Sequence, residues 1–385
     1  MKIGMVLDGL YPPDDRVEKE MATLRAAGHV VTLFCLAREG QPAEEERDGI
    51  LIRRWIPRLA RPEGWEKLLT GVDTAWRRML LNEGAREGIS ALHVHDLPLA
   101  LTGAVVARTL GIYSVLDLHE NWPAAVRVWE KGASWKGLYP WLYNRFWRWS
   151  WIEKQAVLRA DAVIVVAEEN RDRFLRMKIP GERFRVVTNA ADLALYPEVA
   201  PPPAGFRVLY VGGMTRHRGL DVLVRAFVRV RENAPEAELV LVGEGEERPA
   251  LEALVADLGM GAAVLFPGWL SKRECVVETA GSHVGVIPHR RSPHTDTTLP
   301  NKLFDYMAAG RPVVATDAAP LRRIVGETGC GGVVPSGDPG AMARGILEFR
   351  DRARARDAGA AGRRAVETTY NWAAAGRVLA EVYAP

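Results

Sequence analysis

The sequence predicts an α/β protein with two tandem, Rossmann-like, doubly wound domains. Strands alternate with helices along the chain, a proline-rich stretch interrupts this pattern, and the same alternation then starts again. The chain has 385 residues, of which 48% are hydrophobic and 26% charged, so it can form two cores. Because such sheets bind ligands beyond the carboxyl ends of their strands, we expect two domains that face a cleft.

The predicted first domain covers residues 1–196. It begins with a buried strand at 2–7, an amphipathic helix at 16–27 and a second strand at 30–36. Further strands are predicted at 91–95, 113–118 and 162–166, with helices between them. Alternation of this kind indicates a parallel sheet with helices on both faces.

The predicted second domain covers residues 204–369 and follows a linker that is rich in proline. The linker prolines are Pro197, Pro201, Pro202 and Pro203. The pattern then restarts with a strand at 206–211, a helix at 219–231 and a strand at 238–242. The Ala/Arg-rich stretch 353–365 is predicted to form a helix.

Composition excludes several classes of protein. The net charge is only +3, which argues against a chain that binds polyanions over its whole surface. Cys35, Cys275 and Cys330 are far apart, which argues against structural zinc and a disulfide framework and favours a reducing compartment. We find no signal peptide pattern and no apolar run approaching about 20 residues, so we expect a cytoplasmic protein without a membrane-spanning helix.

The segment LPNKLFDYMAAGRPVVAT carries the strongest functional signal in the chain. Asn301 and Lys302 open a predicted helix, and a helix N-terminus beside a lysine is a ready anion site. Asp305 lies on the same helical face as Lys302 and can accept hydrogen bonds from two neighbouring hydroxyls. A nucleoside diphosphate offers such phosphates and such a diol. The alternative is a buried helix with a solvated polar edge.

Two glycine-rich turns follow strands of the second domain. After Gly213 the first turn carries Arg216 and Arg218, whose guanidinium groups can clamp a phosphate that approaches the glycine backbone. The second turn runs from Gly243 to Gly245, and Glu244 within it would repel a phosphate. We therefore interpret the second turn as a wall of the nucleotide site near the base or ribose. An ordinary strand–helix turn with exposed arginines remains the alternative for the first.

Polar residues also follow two strands of the first domain. His95 and Asp96 end one predicted strand, and Asp117, His119 and Glu120 end the next. Since these strand ends lie where a doubly wound sheet binds ligands, the two pairs of histidine and acid are candidates for catalysis. Structural histidines are the alternative.

The first strand ends near Gly9, whose loop is a candidate contact to a ligand or a simple turn. The chain lacks both GxGxxG and GxxxxGK[ST], so neither a dinucleotide site nor a P-loop is indicated. Asp14 and Asp15 do not form a convincing metal pair, and we expect a site that works without a metal or cofactor.

Together these motifs resemble the retaining glycosyltransferases of family 4, which have the GT-B fold. The resemblance covers nearly the whole chain and rests on motifs in the family's order. These are EKEMATLRAAGHVVTLF, the HD and D-x-HE turns, VTNAAD, GGMTRHRG, VGEGEERPAL, VLFPGWL and LPNKLFDYMAAGRPVVAT. The chain is most similar to members that build bacterial cell-surface polysaccharide.

The resemblance implies that the first domain binds the acceptor and the second domain binds a nucleotide-sugar, with a UDP-sugar favoured over a GDP-sugar. Arg218 and Lys302 would neutralise the diphosphate, Asp305 would bind the ribose diol, and His119 would act catalytically near the transferred sugar. A C-terminal helix within 370–385 would pack back on the first domain.

The chain departs from the family pattern at two places. In the E-x7-E motif, Asp305 stands where the family has the second Glu and is one methylene shorter, and Thr297 stands where many members have the first Glu. Asp296 or a backbone amide would then contact the sugar. Gly213 stands where many members have an arginine, which Arg216 would replace.

Two segments mix tryptophan with basic residues. Residues 122–151 contain seven of the twelve tryptophans, and residues 65–80 repeat the mixture with helical spacing. Such a mixture suits peripheral contact with a membrane that carries the acceptor. Packing of these helices on the first domain is the alternative, and nucleic acid binding is disfavoured because the net charge is near zero.

Three functions are consistent with the sequence. The first is transfer of a sugar, with retention, from a nucleotide-sugar to a glycan or lipid-linked acceptor. The second is a UDP-sugar 2-epimerase of the same architecture, which would release free epimer without an acceptor. The third is a non-catalytic nucleotide-sugar-binding protein, for which the missing Glu at Thr297 is the supporting feature.

Overall fold

A computed structural model describes residues 1–56, 61–130, 142–197, 202 and 204–384 of the chain. It contains two compact units, one of Met1–Val187 with Ala375–Pro385 and the other of Thr188–Ala374. None of the helices formed by the described residues is long and apolar enough to cross a membrane.

The first unit is built on an eight-stranded sheet in the order β3-β4-β2-β1-β5-β6-β7-β8. The strands are β1 (Lys2–Leu10), β2 (Val30–Leu36), β3 (Glu44–Arg47), β4 (Ile50–Trp55), β5 (Ala91–His95), β6 (Tyr113–Leu118), β7 (Ala162–Val165) and β8 (Phe184–Val186). The helices are α1 (Asp15–Ala26), α2 (Arg61–Thr70), α3 (Thr74–Glu87), α4 (Ala100–Leu110), α5 (Trp122–Glu130), α6 (Phe146–Arg159) and α7 (Glu168–Arg176). The predicted α/β class and parallel sheet are confirmed, except that β3 and β4 form an antiparallel pair at the edge.

The predicted helix over 65–80 is wrong in one respect, because two helices occupy this stretch. Gly71, at φ 75°, separates α2 from α3 in the left-handed region that glycine adopts most easily. Asp73 then caps α3 by accepting a hydrogen bond from the backbone N–H of Trp76 at 3.0 Å. The apolar spacing continues across this break, which is why it did not show in the sequence.

The second unit is built on a six-stranded parallel sheet in the order β11-β10-β9-β12-β13-β14. Its strands are β9 (Phe206–Val211), β10 (Ala237–Val242), β11 (Val264–Gly268), β12 (Val284–Ile287), β13 (Val313–Thr316) and β14 (Gly331–Val334). Its helices are α8 (Leu220–Asn233), α9 (Arg248–Asp257), α10 (Lys272–Gly281), α11 (Asn301–Ala308), α12 (Ala319–Thr328), α13 (Pro339–Leu347) and α14 (Arg352–Thr368). Helix α15 (Trp372–Glu381) begins in this unit, and its residues from Ala375 onward belong to the first.

Helix α11 is fixed on the sheet by Tyr306. The Tyr306 hydroxyl accepts a hydrogen bond from the backbone N–H of Val211 at 3.1 Å. The ring lies over Gly285, where an added Cβ would be 2.3 Å from a ring carbon. This packing sets the position of the first residues of α11 beside the end of β9.

The division between the units falls at Val187, before the predicted boundary at 196. The intervening residues bond to the second unit, because Asn189 Nδ2 donates to the Leu299 carbonyl at 2.7 Å and Ala191 bridges to Asn371. Of the predicted linker, positions 201 and 203 lie outside the described residues.

Candidate active site

A group of ionisable side chains lies at the ends of β5 and β6 in the first unit. We call it the histidine–carboxylate cluster, and its members are Arg16, Glu20, His93, His95, Asp117 and His119. His93 and His95 are two residues apart in a strand, so their rings lie on one face, where they stack at 4.6 Å. Asp117 pairs in register with His95 across the two strands.

Arg16 binds the buried carboxylate of Asp117. Its Nε and Nη2 donate to Oδ2 and Oδ1 of Asp117 at 3.3 and 3.2 Å, and its Nη1 donates to the Val187 carbonyl at 3.2 Å. Burial alone would raise the pKa of Asp117, but the charges of Arg16 and His119 hold that pKa well below its ordinary value. Asp117 is therefore ionised at neutral pH.

Glu20 is the second buried carboxyl group of the cluster. Its Oε1 lies 2.9 Å from Arg16 Nε, one helical turn away on α1. Burial, and then the negative charge of Asp117, raise the pKa of Glu20 well above its ordinary value. The two carboxyl groups therefore differ strongly in their tendency to hold a proton, which is typical of paired acids in functional sites.

His119 is held between two carboxyl groups. Its Nε2 lies 3.1 Å from Asp117 Oδ2 and its Nδ1 lies 3.3 Å from Asp96 Oδ2. Burial would lower the pKa of His119, but the charges of Asp96 and Asp117 raise it to about 9. His119 thus carries a positive charge at neutral pH, and 20% of its side chain remains exposed.

Asp96 holds His119 from a strained backbone conformation. Its φ is 60°, in the left-handed region that non-glycine residues rarely adopt. In this conformation its Oδ1 also accepts a hydrogen bond from the backbone N–H of His119 at 3.2 Å. Strain of this kind is concentrated at functional sites. His95, in contrast, is neutral, because burial lowers its pKa to about 3.

Tyr383, contributed by the C-terminal segment of this unit, also contacts the cluster. Its hydroxyl lies 2.7 Å from Nδ1 of His93, and both side chains are buried. Nε2 of His93 in turn lies 3.5 Å from Glu20 Oε2 and 3.7 Å from Asp117 Oδ2. The C-terminal segment is therefore part of the same polar network as His119.

The cluster is also compact enough to enclose a cation. Glu20, His93, His95 and Asp117 each offer one ligand atom, and these atoms lie within 4.8 Å of one another. Arg16 contacts both carboxyl groups and supplies a positive charge there, and His119 supplies another. The two buried carboxyl groups are thus compensated by side chains of the protein.

The structure brings four of the predicted residues together where β5 and β6 end: His95, Asp96, Asp117 and His119. Gly9 lies near the end of β1, beyond an irregularity in its pairing with β2. Sequence reasoning missed Arg16, Glu20 and His93. Two signals were available: a basic and an acidic residue four apart on a helix, and two histidines two apart in a strand.

In the second unit, glycines let the ends of neighbouring strands approach closely. The backbone N–H of Gly212 donates to Val242 O at 2.9 Å, and that of Gly243 donates to Gly268 O at 2.8 Å. Gly243 has φ 127°, and a Cβ there would lie 2.2 Å from the carbonyl oxygen of Gly212. Only glycine fits this position, and the turns after β9 and β10 are thereby held against each other.

Lys302 places a buried amine beside this glycine edge. Its Nζ lies 3.6 Å from the centre of the Tyr210 ring. A Cβ added to Gly212 would lie 2.8 Å from the same Nζ. Among the described residues Nζ has no hydrogen-bond partner. Burial, together with the charge of Arg218, holds the pKa of Lys302 well below its ordinary value. A buried amine without a hydrogen-bond partner among the described residues is a strong indication of an anionic ligand.

Arg218 contributes the second positive group of this site. Its Nη1 lies 3.1 Å from Nε2 of His289, and burial with the nearby Arg218 charge lowers the pKa of His289 well below its ordinary value. His217, in the same turn, is also neutral, because burial and then Arg218 lower its pKa to about 3. Arg218 and Lys302 are therefore the side chains at this site that can present a positive charge to a ligand. Arg216 is exposed at the start of the turn.

Asp296 and Thr297 are both engaged with other parts of the unit. Asp296 accepts hydrogen bonds from Arg291 Nε at 3.1 Å and from the backbone N–H of Ala319 at 2.9 Å, at the beginning of α12. The Thr297 hydroxyl donates to the Pro293 carbonyl at 2.7 Å. These contacts position the loop that leads into α11.

Three further predicted residues lie around α11 and the second glycine turn. Asn301 is exposed at the first position of α11. Glu244 pairs with Arg248 on α9, which keeps its carboxylate at the rim of the turn. Asp305 is half-buried, and it lies close enough to Tyr196 that its charge, after burial, raises the pKa of that hydroxyl.

An exposed aromatic surface lies on α2 and α6 of the first unit. Its members are Trp65, Leu69, Phe146, Trp147 and Trp151, each at least 36% exposed. Residues 131–141 of the tryptophan-rich segment lie outside the described residues.

Arg148 and Trp149 occupy the opposite face of α6 and are buried. Arg148 ties α6 to α2 by donating from Nε to the Leu68 carbonyl at 2.9 Å and from Nη2 to the Lys67 carbonyl at 2.7 Å. These two residues therefore serve packing, whereas Trp147 and Trp151 are about half exposed.

Two protein-family models match the chain. The model described as Glycosyltransferase Family 4 matches residues 17–195, and the model described as Glycosyl transferases group 1 matches residues 205–351. An α-D-kanosaminyltransferase of Streptomyces kanamyceticus is 26% identical over 246 residues, which are 60% of this chain and 62% of that relative. The match thus spans less than two thirds of the relative.

Solved structures with the same fold cover nearly the whole chain. A sucrose-phosphate synthase from Thermosynechococcus elongatus has a TM-score of 0.81 at 23% identity and covers 99% of this chain and 98% of its own. HepE of Anabaena, solved in complex with UDP, has a TM-score of 0.70 at 15% identity and covers 99% of both chains. At these identities the likeness shows a shared fold.

Proposed function

Because the chain belongs to family 4 of the glycosyltransferases and has the GT-B fold, we propose that it moves a sugar, with retention, from a nucleotide-sugar to a glycan or lipid-linked acceptor. The observation that carries this proposal is the amine of Lys302, which is buried beside the glycine edge without a hydrogen-bond partner among the described residues. The proposed process is cell-surface polysaccharide synthesis.

In this proposal the second unit binds the donor. Departure of a nucleoside diphosphate places negative charge on its phosphate oxygens, and Arg218 and Lys302 stabilise that charge without a metal ion. Both groups are fixed before the reaction, Arg218 by His289 and Lys302 by the packing of α11 on the sheet. Asp305, one turn further along α11, is the proposed acceptor for the ribose hydroxyls.

His119 is the proposed catalytic residue of the transfer step. It is positively charged at neutral pH, partly exposed, and oriented by Asp96 and Asp117. A fixed imidazolium stabilises the negative charge that develops on the leaving diphosphate in an oxocarbenium-like transition state.

A UDP-sugar is the proposed donor, because HepE, a structural neighbour, was solved with UDP. Isothermal titration of the full chain with UDP and with GDP tests this choice. We expect UDP to bind more tightly, and Lys302→Ala and Arg218→Ala each to weaken UDP binding by about 10- to 150-fold, since a charge-assisted contact contributes about 1.5–3 kcal/mol. Unchanged UDP affinity in both variants would refute the donor site.

The same protein, incubated with a panel of UDP-sugars, distinguishes the remaining functions. Transfer to an added glycan or lipid-linked acceptor supports the proposal. Release of a free 2-epimer without any acceptor would show an epimerase, and binding without transfer, hydrolysis or epimer release would show a binding protein.

The exposed aromatic surface is the proposed contact with a membrane that carries the acceptor. Aromatic side chains partition into the lipid interface, and basic residues nearby add about 1 kcal/mol each at an anionic surface. Arg127 lies next to this surface, with its guanidinium 4.1 Å from the centre of the Phe146 ring. Binding should therefore be reversible and weaker at high salt.

Sedimentation with vesicles of phosphatidylglycerol tests this contact. The double variant Trp147→Ser/Trp151→Ser should lose most of the binding, whereas Trp269→Ser, which changes an exposed tryptophan of the second unit, should retain it. Arg148 and Trp149 are unsuitable for this test because their replacement would disturb packing. If the Trp269 variant lost vesicle binding equally, the membrane contact would not be specific to the exposed aromatic surface.

A further inference from the structure

The second unit contains a cavity of about 960 Å³ that the proposed function does not use. It adjoins Phe206, the first residue of β9, and His283 and Pro312, which directly precede β12 and β13. Because the strands are parallel, these amino ends lie at the opposite edge of the sheet from Gly212 and Gly243. A cavity of this volume is in the range of sites for small molecules.

The lining of this cavity is strongly basic. Its arginines are Arg311, Arg350, Arg352, Arg356, Arg363 and Arg364. Among the described lining residues Glu236 is the one acidic side chain, and it pairs with Arg350 at 3.2 Å. Arg356 also pairs with Asp357 at 3.3 Å and Arg363 with Glu367 at 2.6 Å, so part of the lining charge is compensated within the protein. The guanidinium groups that share this space still repel each other unless an anion lies between them.

Two of the arginines are fixed in place by backbone carbonyls. Arg311 is buried and donates from Nη2 to the Ala280 carbonyl at 2.7 Å. Arg363 donates from Nη1 to the carbonyls of Tyr196 and Ala308 at 2.7 and 2.6 Å. These contacts pre-organise positive charge at the cavity wall, which lowers the entropic cost of binding a ligand.

The other arginines of helix α14 present a basic face to the same space. Arg352 and Arg356 are one helical turn apart, Arg364 lies two further turns along, and all three are exposed. Arg354, on the same helix, does not line the cavity and pairs with Glu348. Arg354 is therefore a position on the same helix where charge can be removed without changing the cavity lining.

We propose that this cavity binds a small free polyanion with two or more phosphate groups, at a site distinct from the donor site. Planar guanidinium groups recognise phosphate oxygens in pairs, which suits a ligand that carries several of them.

The test is titration with sodium tripolyphosphate of a full chain that carries Lys302→Ala, so that the donor site contributes little. In this background the triple change Arg352→Gln/Arg356→Gln/Arg364→Gln should weaken binding by at least about tenfold. The matched change Arg354→Gln should leave the affinity within about twofold. All four positions are exposed, and thermal unfolding checks that the variants remain folded.

The outcomes separate the sources of phosphate. Tripolyphosphate binding that the triple variant loses and the Arg354 variant keeps supports the proposal. Equal loss in both variants, or no loss in either, would overturn it. Binding to phosphatidylglycerol vesicles through these arginines, without binding of tripolyphosphate, would also overturn it, because the ligand would then be a lipid headgroup rather than a free polyanion.

Discussion

Replacement of Lys302 by methionine should change stability and ligand affinity in opposite directions. In the ligand-free protein the amine is buried without a hydrogen-bond partner among the described residues, and burying such a group costs about 1–3 kcal/mol. Its contact with the Tyr210 ring returns about 0.5–1 kcal/mol when the amine is protonated. Methionine has nearly the same length and helix propensity as lysine, so it fills the space without that cost.

The expected result is a second unit that is more stable by about 1–2 kcal/mol, which raises its Tm by about 2–8 °C. UDP affinity should fall by about 1.5–3 kcal/mol, or about 10- to 150-fold. Calorimetric unfolding with and without UDP measures both quantities, and Lys272→Met, which changes an exposed lysine of the same unit, is the control.

The difference in stability between the wild type and Lys302→Met should also depend on pH. The folded-state pKa of Lys302 lies well below the value of 10.5 that applies in the unfolded chain, so the unfolded chain binds more protons between these two values. The stability of the wild type should therefore rise with pH towards 10.5, and the advantage of the methionine variant should shrink. If Lys302→Met is less stable than the wild type without ligand, the amine is satisfied by the protein and is not reserved for an anion.

Three further changes test other parts of the structure. His119→Ala should lower kcat by at least about 100-fold in a transfer assay while UDP affinity in calorimetry stays within about twofold; unchanged kcat would refute its catalytic role. Tyr383→Phe removes the hydroxyl 2.7 Å from His93 Nδ1 and should lower the free energy of unfolding in urea by about 1–3 kcal/mol. UDP affinity should not change, and a loss of UDP affinity would contradict a purely structural role for Tyr383. In Asp305→Asn, replacing the donor by its 2′-deoxy analogue should weaken binding less than it does in the wild type. If the effects of the mutation and of the 2′-deoxy change on binding free energy are additive, Asp305 does not contact the 2′ hydroxyl.

The fold could be predicted from the sequence because its elements follow local periodicity. Strands β2, β5 and β6 begin and end at the predicted residues, since their apolar runs are bounded by turns. Lys302 could be placed at a helix N-terminus for the same reason. A single left-handed residue, Gly71, did not disturb the apolar spacing and so divided a predicted helix in two.

The composition of the histidine–carboxylate cluster could not be predicted in this way. It depends on Arg16 reaching Asp117, which is 101 residues away along the chain, and no local pattern encodes that pairing. The orientation of α6 could not be predicted either. Trp149 is buried and Trp147 is exposed, because Arg148 bonds to α2 and Trp149 packs against Trp122 and Tyr143.

The hydrogen bond between Tyr383 and His93 has a consequence for the synthesis of the chain. The ribosome synthesises residues 1–187 first, but the first unit also needs residues 375–385, which emerge only after the whole second unit. During synthesis the His93 ring therefore lacks its hydrogen bond to the Tyr383 hydroxyl until the C-terminal segment has been made. The first unit should reach its full stability only after the second has been made, and a chain stopped at residue 187 should leave this histidine accessible to water.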